Sequence, residues 1–87
     1  MLDAIAVSSA IRSARVALGW TQRTLSTSSG VSEVTIARFE AGMTSPRLST
    51  IKRLVDAIED AGVAIVAGTP ERGYSLAVSE KALHAAL

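Results

Sequence analysis

The sequence predicts a mainly α-helical domain: four short helices, then a β-hairpin and a short C-terminal helix. Three observations carry this prediction. Aliphatic residues recur at helical spacing as far as Ile58, and Gly19, Gly30, Gly42 and Gly62 fall where each periodic segment stops. Beyond Gly62 the pattern changes to short β-branched runs around a turn rich in glycine and proline.

Val7, Ile11, Ala14 and Leu18 are four, three and four positions apart, so they share one stripe of a first helix. Ser8 or Ser9 caps it, or Leu2 and Ile5 extend it upstream; Gly19 ends it. Thr21 is placed as the N-cap of a second segment, which runs to Ser28 with Leu25 as its apolar anchor. Gly30 breaks the chain, and Ser32 then caps a third helix whose Ile36 and Phe39 point inward and which Gly42 closes. A fourth helix follows Pro46, with Leu48, Ile51, Leu54, Val55 and Ile58 on its apolar face. Val63 to Ala67 and Tyr74 to Val78 flank the turn from Gly68 to Gly73 and read as a hairpin. Ser79 is expected to cap a last helix through Ala82, Leu83, Ala86 and Leu87. Gly62 is the natural boundary, dividing the chain into a helical unit, 1–61, and a tail, 62–87.

The chain has 87 residues, 48% of them hydrophobic but only 3% aromatic, so the core must be aliphatic. With no cysteine, neither disulfides nor thiolate metal sites supplement that core. Small chains without such staples often gain stability by oligomerising, which favours a dimer. No apolar run approaches the roughly 18 residues that span a bilayer. Met1 to Ala10 lacks the basic start of a signal peptide, so the expected location is the cytoplasm and no membrane partner is expected.

The net charge of +1 hides an asymmetry. Between Ile11 and Arg53 seven bases (Arg12, Arg15, Arg23, Arg38, Arg47, Lys52, Arg53) face two acids (Glu33, Glu40), a net charge of +5. The remainder sets Arg72 and Lys81 against six acids, a net charge of −4. Solvated surface accounts for such a pattern as well as a polyanion-binding face does, so charge alone does not decide.

The stretch from Thr21 to Glu40 does more. It joins two short helices through Gly30, whose freedom to adopt a left-handed backbone lets the second cross the first steeply. Leu25, Val31, Ile36 and Phe39 form the wedge that fixes the crossing, leaving the polar faces outside. The second helix is then free to enter a DNA major groove. Around this unit runs a linked pattern: Arg15, Leu18-Gly19-Trp20-Thr21-Gln22, Leu25, Gly30-Val31-Ser32, Ile36, Phe39-Glu40-Ala41-Gly42, Pro46, Leu48 and Ile51. In these residues the chain resembles the lambdoid repressor and Cro-like (XRE-type) helix-turn-helix domain, over roughly Ile11 to Ile58.

The resemblance implies a four-helix repressor-like fold and roles for particular positions. It implies that Gln22 holds a backbone phosphate and that Ser32, Glu33, Val34, Thr35 and Arg38 form the exposed start and outer face of the recognition helix. Arg15 and Glu40 match an ion pair tying the first helix to the third. Met43, Thr44, Ser45 and Arg47 match a loop that runs along the phosphates. Two positions depart from the family, which usually has Ala where Ser26 stands and an aliphatic residue where Ser29 stands. Four consecutive hydroxyl residues, Ser26 to Ser29, make a weak helix former.

Residue chemistry supplies a narrower reading beside this. The fork of Arg38 suits guanine O6 and N7, Val34 a thymine methyl group, and Glu33 the amino group of cytosine. Glu33 otherwise repels phosphate, which makes it a specificity filter. Arg12, Arg23, Arg47 and Lys52 would set affinity and salt dependence with little sequence preference. Trp20 reads as packing rather than as a base-stacking platform. His84, the only histidine, reads as a surface residue in the tail. No HExxH, CxxC, nucleophile-elbow or phosphate-loop pattern occurs, so no enzyme, metal or cofactor is expected.

The expected function is a sequence-specific DNA-binding regulator, a repressor rather than an activator, gripping a palindromic site in double-stranded DNA as a homodimer. The tail is the expected dimer surface, through Val63, Ile65, Val66, Tyr74, Leu76 and Val78, because an exposed hairpin apolar on both faces would be unstable alone. The alternative is an antitoxin whose acidic, apolar tail binds a protein partner while the helices bind its promoter. A hairpin folded back on the fourth helix is the competing placement for the tail.

Overall fold

A computed structural model describes residues 4–67 and 74–80. Helices α1 (Ala4–Ala17), α2 (Gln22–Ser29), α3 (Glu33–Glu40) and α4 (Leu48–Asp60) precede strands β1 (Val63–Ala67) and β2 (Tyr74–Val78). The architecture is mainly helical with one antiparallel hairpin after the helices, as predicted. Glu80 is the last described residue, so the predicted final helix and His84 lie outside the described residues, as do Leu2 and the turn at 68–73.

Helix α1 buries Ala10, Ile11, Ala14 and Leu18, with half-buried Val7 continuing the stripe. It begins upstream of both candidate caps, so Ser8 and Ser9 occupy interior positions and Ser8 is buried. Its end follows from Gly19, at φ +71°. The Gly19 N–H donates to the Val16 carbonyl at 2.9 Å and that of Trp20 to the Arg15 carbonyl at 3.0 Å, a Schellman closure that satisfies two terminal acceptors. Gly42 closes α3 the same way: its N–H meets the Phe39 carbonyl at 3.0 Å, and the Met43 N–H meets that of Arg38 at 2.9 Å.

Leu25, Val31, Ile36, Phe39, Leu54, Ala57, Ile58 and Val63 complete the core begun by α1, and half-buried Trp20, Ile51 and Val55 pack against it. Trp20 is therefore packing, as read. Leu48 is a correction. It shares the helical stripe of Ile51 and Ile58 but is 81% exposed, because it is the first residue of α4 and precedes the turn that meets the core.

The hairpin is registered Val63↔Val78, Ile65↔Leu76 and Ala67↔Tyr74, which places these pairs on one face and Ala64↔Ala77 and Val66↔Ser75 on the other. The first face packs on the helices: Val63 is fully buried, and Ile65, Leu76 and Val78 lie against the same cluster. The Ser79 N–H donates to the Gly62 carbonyl at 2.7 Å and clamps the open end. The hairpin thus takes the competing placement, folded onto its own chain. Val63 offers no side chain to a partner, and Ile65, Leu76 and Val78 offer only part of theirs. Val66 alone of the expected dimer residues is exposed, on the outer face, and the Tyr74 side chain lies outside the described residues.

Candidate nucleic-acid interface

Two capped helices meet at a glycine. Thr21 accepts the Thr24 N–H at 3.0 Å and starts α2; Ser32 accepts the Thr35 N–H at 3.1 Å and starts α3. Between them Gly30, at φ +75° and ψ 9°, donates its N–H to the Ser26 carbonyl at 2.9 Å and turns the chain. The serine-rich α2 has a compensation at this turn. The hydroxyl of Ser29 accepts the Val31 N–H at 3.2 Å, and that of Thr27 donates to the Arg23 carbonyl at 3.1 Å. A family-typical aliphatic at position 29 could not make the first of these bonds.

Leu25, Ile36 and Phe39 are fully or almost fully buried beneath the crossing, and Val31 is buried as well. Their burial turns the other side of α3 outward: Ser32, Glu33, Val34 and Arg38 are exposed, and Val34 keeps 60% of its surface open. Thr35 is half-buried, and Ser32 donates to its hydroxyl at 2.7 Å, so the cap engages the polar group assigned to base reading. Arg38 has no side-chain partner among the described residues, leaving its five N–H donors available.

Glu40, at the far end of α3, turns inward and ties the helix to α1. Arg15 donates through Nε to Oε2 at 2.8 Å and through Nη2 to Oε1 at 2.9 Å, a bidentate pair joining α1 to α3. Its Nη1 also donates to the Trp20 carbonyl at 2.7 Å, beside the Gly19 closure. The side chains are 14% and 4% exposed, so this is a largely desolvated pair. Gln22 joins it, donating to Glu40 Oε1 at 3.3 Å. A cleft of about 210 Å³ opens over this junction, lined by Arg12, Arg15, Gln22, Ala37, Glu40 and Ala41. Exposed Arg12 and the N-terminus of α2 give it positive character, which suits an anion.

The remaining cations divide. Arg47, the N-cap residue of α4, is exposed beside exposed Thr44 and makes no side-chain cap bond. Lys52 lies 3.0 Å from Asp56 one turn along α4, so its charge is partly neutralised. Arg23 approaches Glu33 to 3.6 Å between Nε and Oε2 and thereby bridges α2 and α3. Sequence reasoning missed this contact, as it missed Gln22 on Glu40 and Ser29 at the turn. Each depends on how one helix crosses another, which spacing along a single helix does not encode.

Two short capped helices turned about a left-handed glycine, the second polar and exposed on its outer side and braced against α1 by a buried ion pair, make a helix-turn-helix unit. A helix-turn-helix family model matches residues 11–59, more than half of the chain, and the chain belongs to that repressor-like (XRE-type) helix-turn-helix family of DNA-binding transcription regulators. No curated protein and no solved structure matches the chain. Among the described residues no helix is long and apolar enough to cross a membrane.

Proposed function

We propose that this protein is a transcriptional repressor that binds a palindromic operator as a homodimer, with α3 lying in the major groove of each half-site. The observation that carries the reading is the outer face of α3, where Glu33, Val34 and Arg38 stand exposed on a helix whose other residues anchor it. Arg38 reads guanine through two donors, Val34 packs on a thymine methyl group, and Glu33 accepts from the cytosine amino group. Thr35, its hydroxyl engaged by the cap, contributes its methyl group. Gln22, Arg23, Ser32, Thr44 and Arg47 hold phosphates on either side and fix the register. One eight-residue helix buries too little surface for operator affinity, so two copies act together, and the dimer excludes other proteins from the DNA it covers. The outer face of the hairpin around Val66 supplies the dimer contact.

The test compares wild type, Arg38→Ala and Gln22→Ala on the DNA upstream of the protein's own gene and on random duplex, across a salt series. Arg38→Ala should erode the preference for cognate over random DNA by about 1–3 kcal/mol. Gln22→Ala should weaken both DNAs alike. Equal losses on both DNAs for both variants would overturn the role assignment.

A further inference from the structure

Arg23 and Glu33 stand on different helices of the helix-turn-helix unit, yet their side chains meet. At 3.6 Å the approach is ionic rather than a tight hydrogen bond, and the side chains are 83% and 48% exposed. A surface pair of this kind adds little to stability. Its position matters more. Glu33 is the first residue of α3, the end that enters the groove first, and it is the only acidic side chain on that outer face. A carboxylate brought between two rows of phosphates is repelled by both. The α3 N-terminus offsets this only in part, with roughly half a unit charge.

Resting on the DNA-binding reading above, we propose that Arg23 is a specificity-determining positioning residue: it neutralises Glu33 and aims its carboxylate at a base amino group, while its open N–H edge takes the adjoining phosphate. Sequence reasoning gave Arg23 the role of a uniform phosphate contact, and the geometry points to more. A guanidinium carries five donors on two edges, so it serves a carboxylate and a phosphate at once, which the compact ammonium of lysine does less well. The carboxylate held against Nε has its other oxygen left for cytosine N4. Base reading by Glu33 and phosphate binding by Arg23 then become one coupled event, because neither group is comfortable at the DNA without the other.

The experiment selects duplexes from a randomised double-stranded pool with wild type, Arg23→Ala, Arg23→Lys, Glu33→Gln and Arg23→Ala/Glu33→Gln. It then measures affinities on the selected site and on its variants at the position Glu33 reads. Thermal melts establish that the variants fold, as expected for exposed positions. Arg23→Ala should lower affinity and also flatten the preference for cytosine at that one position by roughly tenfold, the coupling expected of groups in contact. Adding Glu33→Gln to Arg23→Ala should recover affinity, because the unshielded carboxylate is gone. Arg23→Lys should keep more affinity than Arg23→Ala but lose the preference. If Arg23→Ala weakens every duplex equally with the preference intact, and Glu33→Gln adds to it independently, the positioning role is overturned while DNA binding stands. A wild type that enriches no sequence overturns both.

Discussion

Removing the carboxylate of Glu40 tests whether one buried ion pair holds α3 in its presenting position. In Glu40→Ala the Arg15 guanidinium loses acceptors at 2.8 and 2.9 Å and keeps only the Trp20 carbonyl, at 2.7 Å. The Gln22 amide loses its acceptor as well. Deleting one partner of a buried pair costs about 3–5 kcal/mol, because an uncompensated charge stays behind. Arg15 is 14% exposed, which admits some water to the stranded cation and places the loss near the lower end, about 3 kcal/mol. In a domain of this size each kcal/mol moves Tm by about 4–8 °C, so melts followed by circular dichroism should fall by about 12–24 °C. The partner experiment is Arg15→Met with Glu40→Met, which removes both charges and fills the space with apolar side chains. It should lose less than either single substitution, since no charge is stranded. A fall of under about 4 °C for Glu40→Ala, or a double variant that loses the sum of the singles, would refute the reasoning.

Gly30→Ala meets nothing within 4 Å of the new Cβ, so its cost is the left-handed backbone alone. Urea titration should show a loss of about 1–2 kcal/mol, smaller for Gly30→Asn; no loss would mean that the φ of +75° is not required. Val66→Glu places a charge on the outer hairpin face, where Val66 is 48% exposed, so the chain should still fold while sedimentation shifts from dimer to monomer and the melting temperature loses its dependence on protein concentration. An unchanged sedimentation coefficient would move the dimer contact away from the hairpin.

The elements legible in the sequence were those fixed by local geometry. Gly19, Gly30, Gly42 and Gly62 all take positive φ, and a residue type with a steric reason to be there can be read without neighbours. Thr21 and Ser32 cap α2 and α3 for the same local reason. At the start of α1 the upstream extension through Ile5 held and the Ser8 or Ser9 cap did not, because a residue type that favours caps also tolerates a helix interior when its hydroxyl finds a partner. Leu48 misled in the opposite sense: helical spacing tells which side of α4 it lies on, but not that the core stops short of the first turn. At the interface, the exposure of Glu33, Val34 and Arg38 followed from placing Ile36 and Phe39 inside. The engagement of Thr35 by its cap and of Arg23 by Glu33 did not, since both are set by distances across a turn.

Helix α3 buries one side of its eight residues and leaves the other open to solvent. A helix this short has little stability of its own, because nucleation costs more than two turns of hydrogen bonds return. It exists because Ile36 and Phe39 are buried below it and because Arg15 holds Glu40. Substitutions on the exposed side, at Val34 or Arg38, break no side-chain hydrogen bond or ion pair among the described residues and belong to the class that changes stability by less than about 0.5 kcal/mol. Such positions are free to change without loss of the fold. Glu33 is the exception on that side, tied through Arg23 to the neighbouring helix; under the coupling proposed above, a change of sequence preference there would involve both positions. An apolar valine kept 60% open to water is largely without apolar cover in the folded chain, and the proposed reading supplies that cover from a thymine methyl group.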